Sequence, residues 1–80
     1  MSKKSQGLVE KFHPRLTGRS VSFEYPKSTG GTQWRYARIV KVLFNGDKVQ
    51  TIRTRPLDDD PRQWVAYRLD KVIGSMRFND

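Results

Sequence analysis

The chain contains no cysteine, so neither a disulfide nor a thiolate metal site can form. It has one histidine, four prolines and eight acidic residues against sixteen lysines and arginines. No apolar run approaches the roughly 20 residues that a membrane-spanning helix needs, and no secretory signal pattern follows the basic start of the chain. We therefore expect a soluble, cytoplasmic protein of bacterial or phage origin that has no membrane partner.

Few residues could carry catalysis. His13 has no nucleophile or carboxylate at a spacing that would form a triad. The run Asp58-Asp59-Asp60 offers oxygen ligands to a cation, but consecutive aspartates do not point at one centre, and we interpret them as solvated loop charge. Gly30-Gly31 does not open a helix, as a phosphate-binding loop would. The sequence predicts a protein that is not an enzyme and holds neither cofactor nor metal.

Length and charge define the organisation and the class of partner. A chain of 80 residues buries only about 60% of its unfolded surface and cannot supply two cores, which predicts a single domain. We expect a flexible basic segment over 1–7 and the domain over 8–80. A net charge of +8 favours nucleic acid as the partner and an acidic protein as the alternative.

Alternating apolar residues predict five strands, which lie at 21–25, 34–44, 48–54, 63–69 and 72–78. Asn45-Gly46 predicts a hairpin turn, and Gly74 predicts a bend or bulge in the last strand. A short helical turn is predicted over 8–12, before Pro14. This pattern predicts a mostly β fold, a small five-stranded SH3/Sm-like barrel. An OB-fold also fits the strand count, but it usually needs more residues and a helix.

The longest predicted strand has an irregular apolar face. Most of its large apolar side chains share one phase: Trp34, Tyr36, Val40, Val42 and Phe44. Tyr36 is expected in the core, whereas Trp34, which opens the strand, is expected either to cap the barrel end or to serve as a base platform. Arg38 interrupts that phase, so either a bulge falls there or this arginine points into a pocket. In the second case Arg38 could hold an anionic ligand in the barrel mouth, which makes a small-ligand sensor a third hypothesis.

Basic residues lie on or beside the predicted strands and alternate with aromatic ones. Basic groups neutralise phosphates, aromatic faces stack on unpaired bases, and the planar arginine fork suits both. Trp64 is out of phase with the inward-facing Val65 and Tyr67, so we expect it outside. Solvated arginines and core tyrosines are the competing interpretation. The predicted nucleic-acid-binding residues are Arg35, Arg38, Lys41, Arg53, Arg55, Arg62, Trp64 and Arg68.

The hexapeptide Tyr67-Arg68-Leu69-Asp70-Lys71-Val72 resembles the Phe-Arg-Leu-Asp-Arg-Ile signature near the end of WYL domains. Those domains are small SH3/Sm-like barrels of bacterial regulators. The resemblance implies that Arg68 and Asp70 contribute to a positively charged groove for nucleic acid or nucleotide-like ligands. The tripeptide Val49-Gln50-Thr51 stands where the family has Trp-Tyr-Leu. No helix-turn-helix region is apparent, so the resemblance implies a stand-alone barrel.

Two functions follow from these patterns. The first is a regulatory module that binds single-stranded DNA or RNA, mainly through charge and with weak sequence preference. The second is a basic protein-interaction module, encoded by a phage or mobile element, that docks on an acidic protein. The choice between DNA and RNA and the oligomeric state are left open by the sequence.

Overall fold

The computed structural model describes residues 8–80, which form one six-stranded antiparallel sheet with almost no helix. A 3-10 helix, Leu69–Lys71, joins the last two strands, and no helix of residues 8–80 is long and apolar enough to cross a membrane. The predicted mostly β fold is confirmed, whereas the segment predicted at 1–7 lies outside the described residues. The strands are β1 (Val9–Glu10), β2 (Ser20–Pro26), β3 (Thr32–Asn45), β4 (Lys48–Pro56), β5 (Val65–Arg68) and β6 (Ile73–Phe78).

The helical turn predicted over 8–12 is wrong, because part of that segment forms β1. Val9–Glu10 pairs with the part of β3 that extends past the first residue of β2, and this pairing satisfies backbone groups of an otherwise open edge. A helix-like turn follows instead, in which the backbone N–H of Thr17 donates to the carbonyl of His13 at 2.8 Å. The Thr17 hydroxyl accepts from the backbone N–H of His13 at 2.8 Å.

The strand order is β5-β4-β3-β2-β6, with β1 beside β3. The four strands β2 to β5 pair consecutively as hairpins, whereas β6 returns to pair with β2. Asn45 pairs with Lys48, so the predicted turn reverses the chain at Gly46 and Asp47. The predicted irregularity at Gly74 is confirmed by a register shift in the β2–β6 ladder and by a φ of +71° at this residue.

A β-bulge in β3 decides which side chains face the core. The β3–β4 register shifts between Ile39 and Lys41, which leaves Val40 as the extra residue on β3. Ile39 and Val42 are consequently both buried although they are three positions apart. Arg38 and Lys41 both point outward for the same reason. Of the two alternatives that the sequence offered for Arg38, the structure has the bulge rather than the inward-pointing arginine.

The bulge reverses the prediction for the first half of β3. Tyr36 was expected in the core and Trp34 shared its apolar phase, but the two residues are 51% and 52% exposed. The opposite phase faces inward there, with Ala37 buried and Arg35 partly buried. The apolar phase read from the sequence is therefore wrong before Val40, because the extra residue exchanges the two faces of the strand.

The core lies on the concave face of the sheet and consists of Val21, Phe23, Ile39, Val42, Ile52, Val65 and Tyr67. Tyr25 of β2 and Tyr67 of β5 meet edge to face with ring centroids 4.8 Å apart, although two strands separate them in the sheet. The backbone N–H of Arg68 donates to the Tyr25 hydroxyl at 3.1 Å. The sheet is thus curled upon itself, and it remains open because no ladder joins β5 to β6 within residues 8–80.

We predict that Phe23→Ala lowers the free energy of unfolding by about 3–5 kcal/mol, because it leaves a cavity in the centre of the core. Phe23 is 0% exposed and contacts the ring of Tyr67 at 4.9 Å between centroids. Phe12→Ala is the matched control, since Phe12 is 74% exposed. Urea unfolding of both variants measures the difference; equal losses would contradict the described core.

Candidate nucleic-acid interface

The outward surface of the sheet carries a continuous group of basic and aromatic side chains, which we call the basic face. Strands β3, β4 and β5 supply most of it, and β6 supplies one arginine at its edge. All its members are exposed, because the opposite phase of each strand fills the core. The basic face consists of Trp34, Tyr36, Arg38, Lys41, Arg53, Arg55, Trp64, Arg68 and Arg77.

Two pairs of like charge stand directly opposite each other on β3 and β4. Arg38 pairs in register with Arg55, and Lys41 pairs with Arg53. Lys41 has a counter-charge in Glu10, at 3.5 Å between Nζ and Oε1, and Arg38 donates to the carbonyl of Gly18 at 3.1 Å. Like charges directly opposite in a ladder are destabilising. These two pairs therefore lower the stability of the fold, whereas arginines spaced apart on the surface would not.

Counter-charges are scarce around these pairs. Within residues 8–80, no carboxylate lies in salt-bridge range of Arg38, Arg53, Arg55 or Arg77. The guanidinium groups of Arg53 and Arg55, and that of Arg77, also donate to no group of residues 8–80, so their hydrogen-bond donors face solvent. An anionic ligand would relieve the repulsion, because phosphate accepts from arginine in a bidentate manner.

Trp64 lies beside the paired charges, as its alternation with Val65 and Tyr67 predicted. Its ring is 48% exposed, and the guanidinium carbon of Arg55 is 5.9 Å from the ring centroid, which is within cation–π range. Trp64 lines a hollow of about 90 Å³ together with Lys41 and Arg53. The hollow thus combines an exposed aromatic ring with two basic side chains, which are the groups that base stacking and phosphate contact require.

A second tryptophan–arginine pair was missed by the sequence reasoning. The guanidinium carbon of Arg77 on β6 is 5.8 Å from the ring centroid of Trp34 on β3. Both residues share the basic face, since Arg77 pairs with Ser22, and Ser22 pairs with Tyr36. The interruption by Arg38 was the signal that could have shown this, because a bulge there exposes Trp34 and Tyr36.

Arg68 lies at the rim of the basic face. Its guanidinium forms an ion pair with Asp70 at 2.9 Å. Both side chains border a hollow of about 220 Å³ that also contains Val49 and Gln50. The two residues singled out by the WYL-like hexapeptide are therefore neighbours, and Asp70 offsets part of the charge of Arg68 at this end of the face.

Two predicted binding residues, Arg35 and Arg62, do not belong to the basic face. Arg35 points inward on β3 and binds Asp58 at 3.0 Å and also Asp60, whereas Arg62 binds Asp60 from the β4–β5 loop. The side chain of Asp60 is only 4% exposed, so the interpretation of the acidic run as solvated loop charge is wrong for Asp58 and Asp60. Six of the eight predicted residues therefore lie together. Arg35 is apart because the bulge turns it inward, and Arg62 is apart because it lies in the β4–β5 loop.

The ion pairs of the acidic loop fix its ionisation. The side-chain hydrogen bond from Arg62 is the main cause that holds the pKa of Asp60 well below its usual value of 3.8. The same hydrogen bond, to Asp60, raises the pKa of Arg62. Burial raises the pKa of the nearby Tyr67 phenol, and the charge of Arg35 opposes that rise. Two carboxylates around Arg35 are needed because a partly buried guanidinium is costly without counter-charges.

His13 lies in the turn that follows β1 and makes local contacts. His13 accepts a hydrogen bond from the backbone N–H of Arg15 and stacks on Phe44 with centroids 6.0 Å apart. Among residues 8–80, no three histidine or acidic side chains are grouped so that they could hold a metal ion. His13 therefore contributes to the turn that follows β1.

The chain was compared with known proteins at three levels. No protein-family model, no curated protein sequence and no solved structure shows significant similarity to it. The geometry and charge of the basic face are therefore the features from which we infer a function.

We predict that Arg53→Thr raises the free energy of unfolding by about 0.2–1 kcal/mol at low salt, because it removes one partner of a like-charged pair. The gain should shrink at high salt, since exposed charges are screened. Lys27→Gln removes one charge from the β2–β3 loop, outside the basic face, and is the control. Urea unfolding at two salt concentrations checks this; a salt-independent change would contradict electrostatic repulsion.

We predict that Asp60→Asn makes the protein less sensitive to acid. Because the pKa of Asp60 is lowered on folding from 3.8, its contribution to stability is complete above about pH 5 and is lost as the pH falls below about 4. The variant should be less stable near neutral pH and lose less stability from pH 5 to 2. Asp59→Asn, in the same loop, should retain the full loss; identical pH profiles for the two variants would contradict the assignment.

Proposed function

We propose that this protein is a non-enzymatic nucleic-acid-binding module that takes single-stranded DNA or RNA on its basic face. The like-charged pairs, Arg38 with Arg55 and Lys41 with Arg53, are the observation that carries the proposal. Such pairs cost stability, and their retention is explained if a polyanion occupies them. Functional sites commonly keep arrangements that the fold alone would disfavour.

Aromatic rings beside the basic pairs support a single strand rather than a duplex. Trp64 and Trp34 expose about half of their surfaces next to arginines. A ring can stack only on a base that is not already stacked within a duplex. Binding through phosphates and through π-faces carries little sequence information, so we expect weak sequence preference.

The fold that presents this face is, in our proposal, an SH3/Sm-like barrel, and its likeness to WYL domains remains part of the proposal. The supporting features are the β2–β5 meander, the 3-10 helix Leu69–Lys71 and the return of β6 to β2. The contact between Tyr25 and Tyr67 brings the two sides of the sheet together. Arg68 and Asp70 occupy the positions of the family motif at the rim of the face.

We predict that the logarithm of the affinity for a labelled oligonucleotide falls linearly with the logarithm of salt concentration, and that Arg55→Gln reduces the slope by about 1. Arg62→Gln is the matched control, because Arg62 lies outside the basic face and binds Asp60. Fluorescence anisotropy with single-stranded DNA, single-stranded RNA and duplex DNA measures the slopes.

Affinity that hardly depends on salt, or equal effects of Arg55→Gln and Arg62→Gln, would contradict the proposal. Absence of binding to any of the three nucleic acids at moderate salt would favour the alternative, in which the same face docks on an acidic protein. Tryptophan and arginine are also the side chains that dominate protein interfaces. A stoichiometric protein partner that resists nuclease treatment would then be the expected finding.

A further inference from the structure

The two tryptophan–arginine pairs lie toward opposite edges of the sheet. Trp64 is near Arg55 on the side of β5, and Trp34 is near Arg77 on the side of β6. We infer that they are two base-stacking platforms of one binding path, and that a bound single strand runs diagonally across the sheet from one to the other. This inference rests on the proposed function and adds the second platform and the direction of the path.

The side chains between the platforms are suited to such a path. Tyr36 is exposed on β3 between Trp34 and Arg38, and it offers an additional ring. Arg38 and its cross-strand partner Arg55 follow next and lead to Trp64. Rings at the ends and guanidinium groups in the centre match a strand whose terminal bases stack while the intervening phosphates bind arginine.

The geometry of the sheet gives the length of strand that is required. Trp34 and Arg38 are four positions apart on β3, and Trp64 lies two strands across from Arg38. At about 3.3 Å per residue and about 4.8 Å per strand, the platforms are roughly 17 Å apart. A stacked nucleotide strand advances about 3.4 Å per step, so about five steps span this distance. A dinucleotide spans one step and cannot reach both platforms.

A duplex is expected to bind the basic face through its charges and not through its tryptophan rings. In a duplex the base faces are stacked and do not reach the rings, so only the charges of Arg38, Lys41, Arg53 and Arg55 would act. Loss of a tryptophan ring should therefore affect single strands and leave the affinity for duplex unchanged.

The test compares Trp34→Ala, Trp64→Ala and Arg77→Gln against decamers of thymidine and of uridine, against a thymidine dinucleotide and against a duplex. Trp34→Ala and Trp64→Ala should each weaken decamer binding by about 5- to 100-fold, the range for loss of a stacked base, and Arg77→Gln should weaken it through loss of one basic contact. For the dinucleotide, neither tryptophan variant should weaken binding more than about twofold, because one platform remains available. Trp34→Phe keeps a ring and should restore most of the decamer affinity. Phe12→Ala, an exposed aromatic outside the basic face, is the control.

The chain has only two tryptophans, so Trp34→Phe and Trp64→Phe each leave a single fluorophore that reports on one platform. We expect the decamers to quench both single-tryptophan variants. Decamer affinity unchanged in Trp34→Ala but reduced in Trp64→Ala would overturn the two-platform path and leave the proposed function intact. Equal losses for decamer and duplex would overturn stacking at these rings. Failure of the wild-type protein to bind any oligonucleotide would overturn the proposed function itself. Thermal unfolding of each variant confirms that it is folded.

Discussion

The bulge at Val40 is the constraint on which the rest of the structure depends. A regular β3 would place Arg38 and Lys41 on opposite faces of the sheet, because side chains alternate along a strand. The extra residue places both outside and buries Ile39 and Val42 together. One local irregularity therefore completes the core and assembles the charged pairs of the basic face at the same time.

The same phase change separates arginines that look equivalent in the sequence. Arg35 turns inward, where it is held by the acidic loop through Asp58 and Asp60, and it serves to attach that loop to β3. Arg38, three positions later, turns outward and faces Arg55 across the ladder. The first arginine is neutralised by the fold, whereas the second keeps its charge exposed, so only the second kind is suited to a polyanion.

The candidate site differs from a merely basic surface in the arrangement of its charges. Scattered lysines and arginines would lower repulsion by spreading apart, but here they stand opposite each other and beside exposed rings. Other aromatic residues pack in the core: Phe23, Tyr25 and Tyr67 form its aromatic centre under the curled sheet. The aromatic residues therefore fall into two groups. One group stabilises the core, and the other is exposed beside arginines and is the group that bears on function.

The sequence by itself determined that the fold is mostly β, that the chain turns at the Asn-Gly pair and that the last strand is irregular at Gly74. It also determined the outward position of Trp64. Each of these features depends on local backbone preference or on simple alternation. It could not determine the exposure of Trp34, which depends on a register shift between β3 and β4. Nor could it determine the contact of Trp34 with Arg77, since β6 reaches β2 only in the folded sheet. Pairing between strands that are distant in the sequence decides such contacts, and the alternation of side chains along one strand does not reveal that pairing.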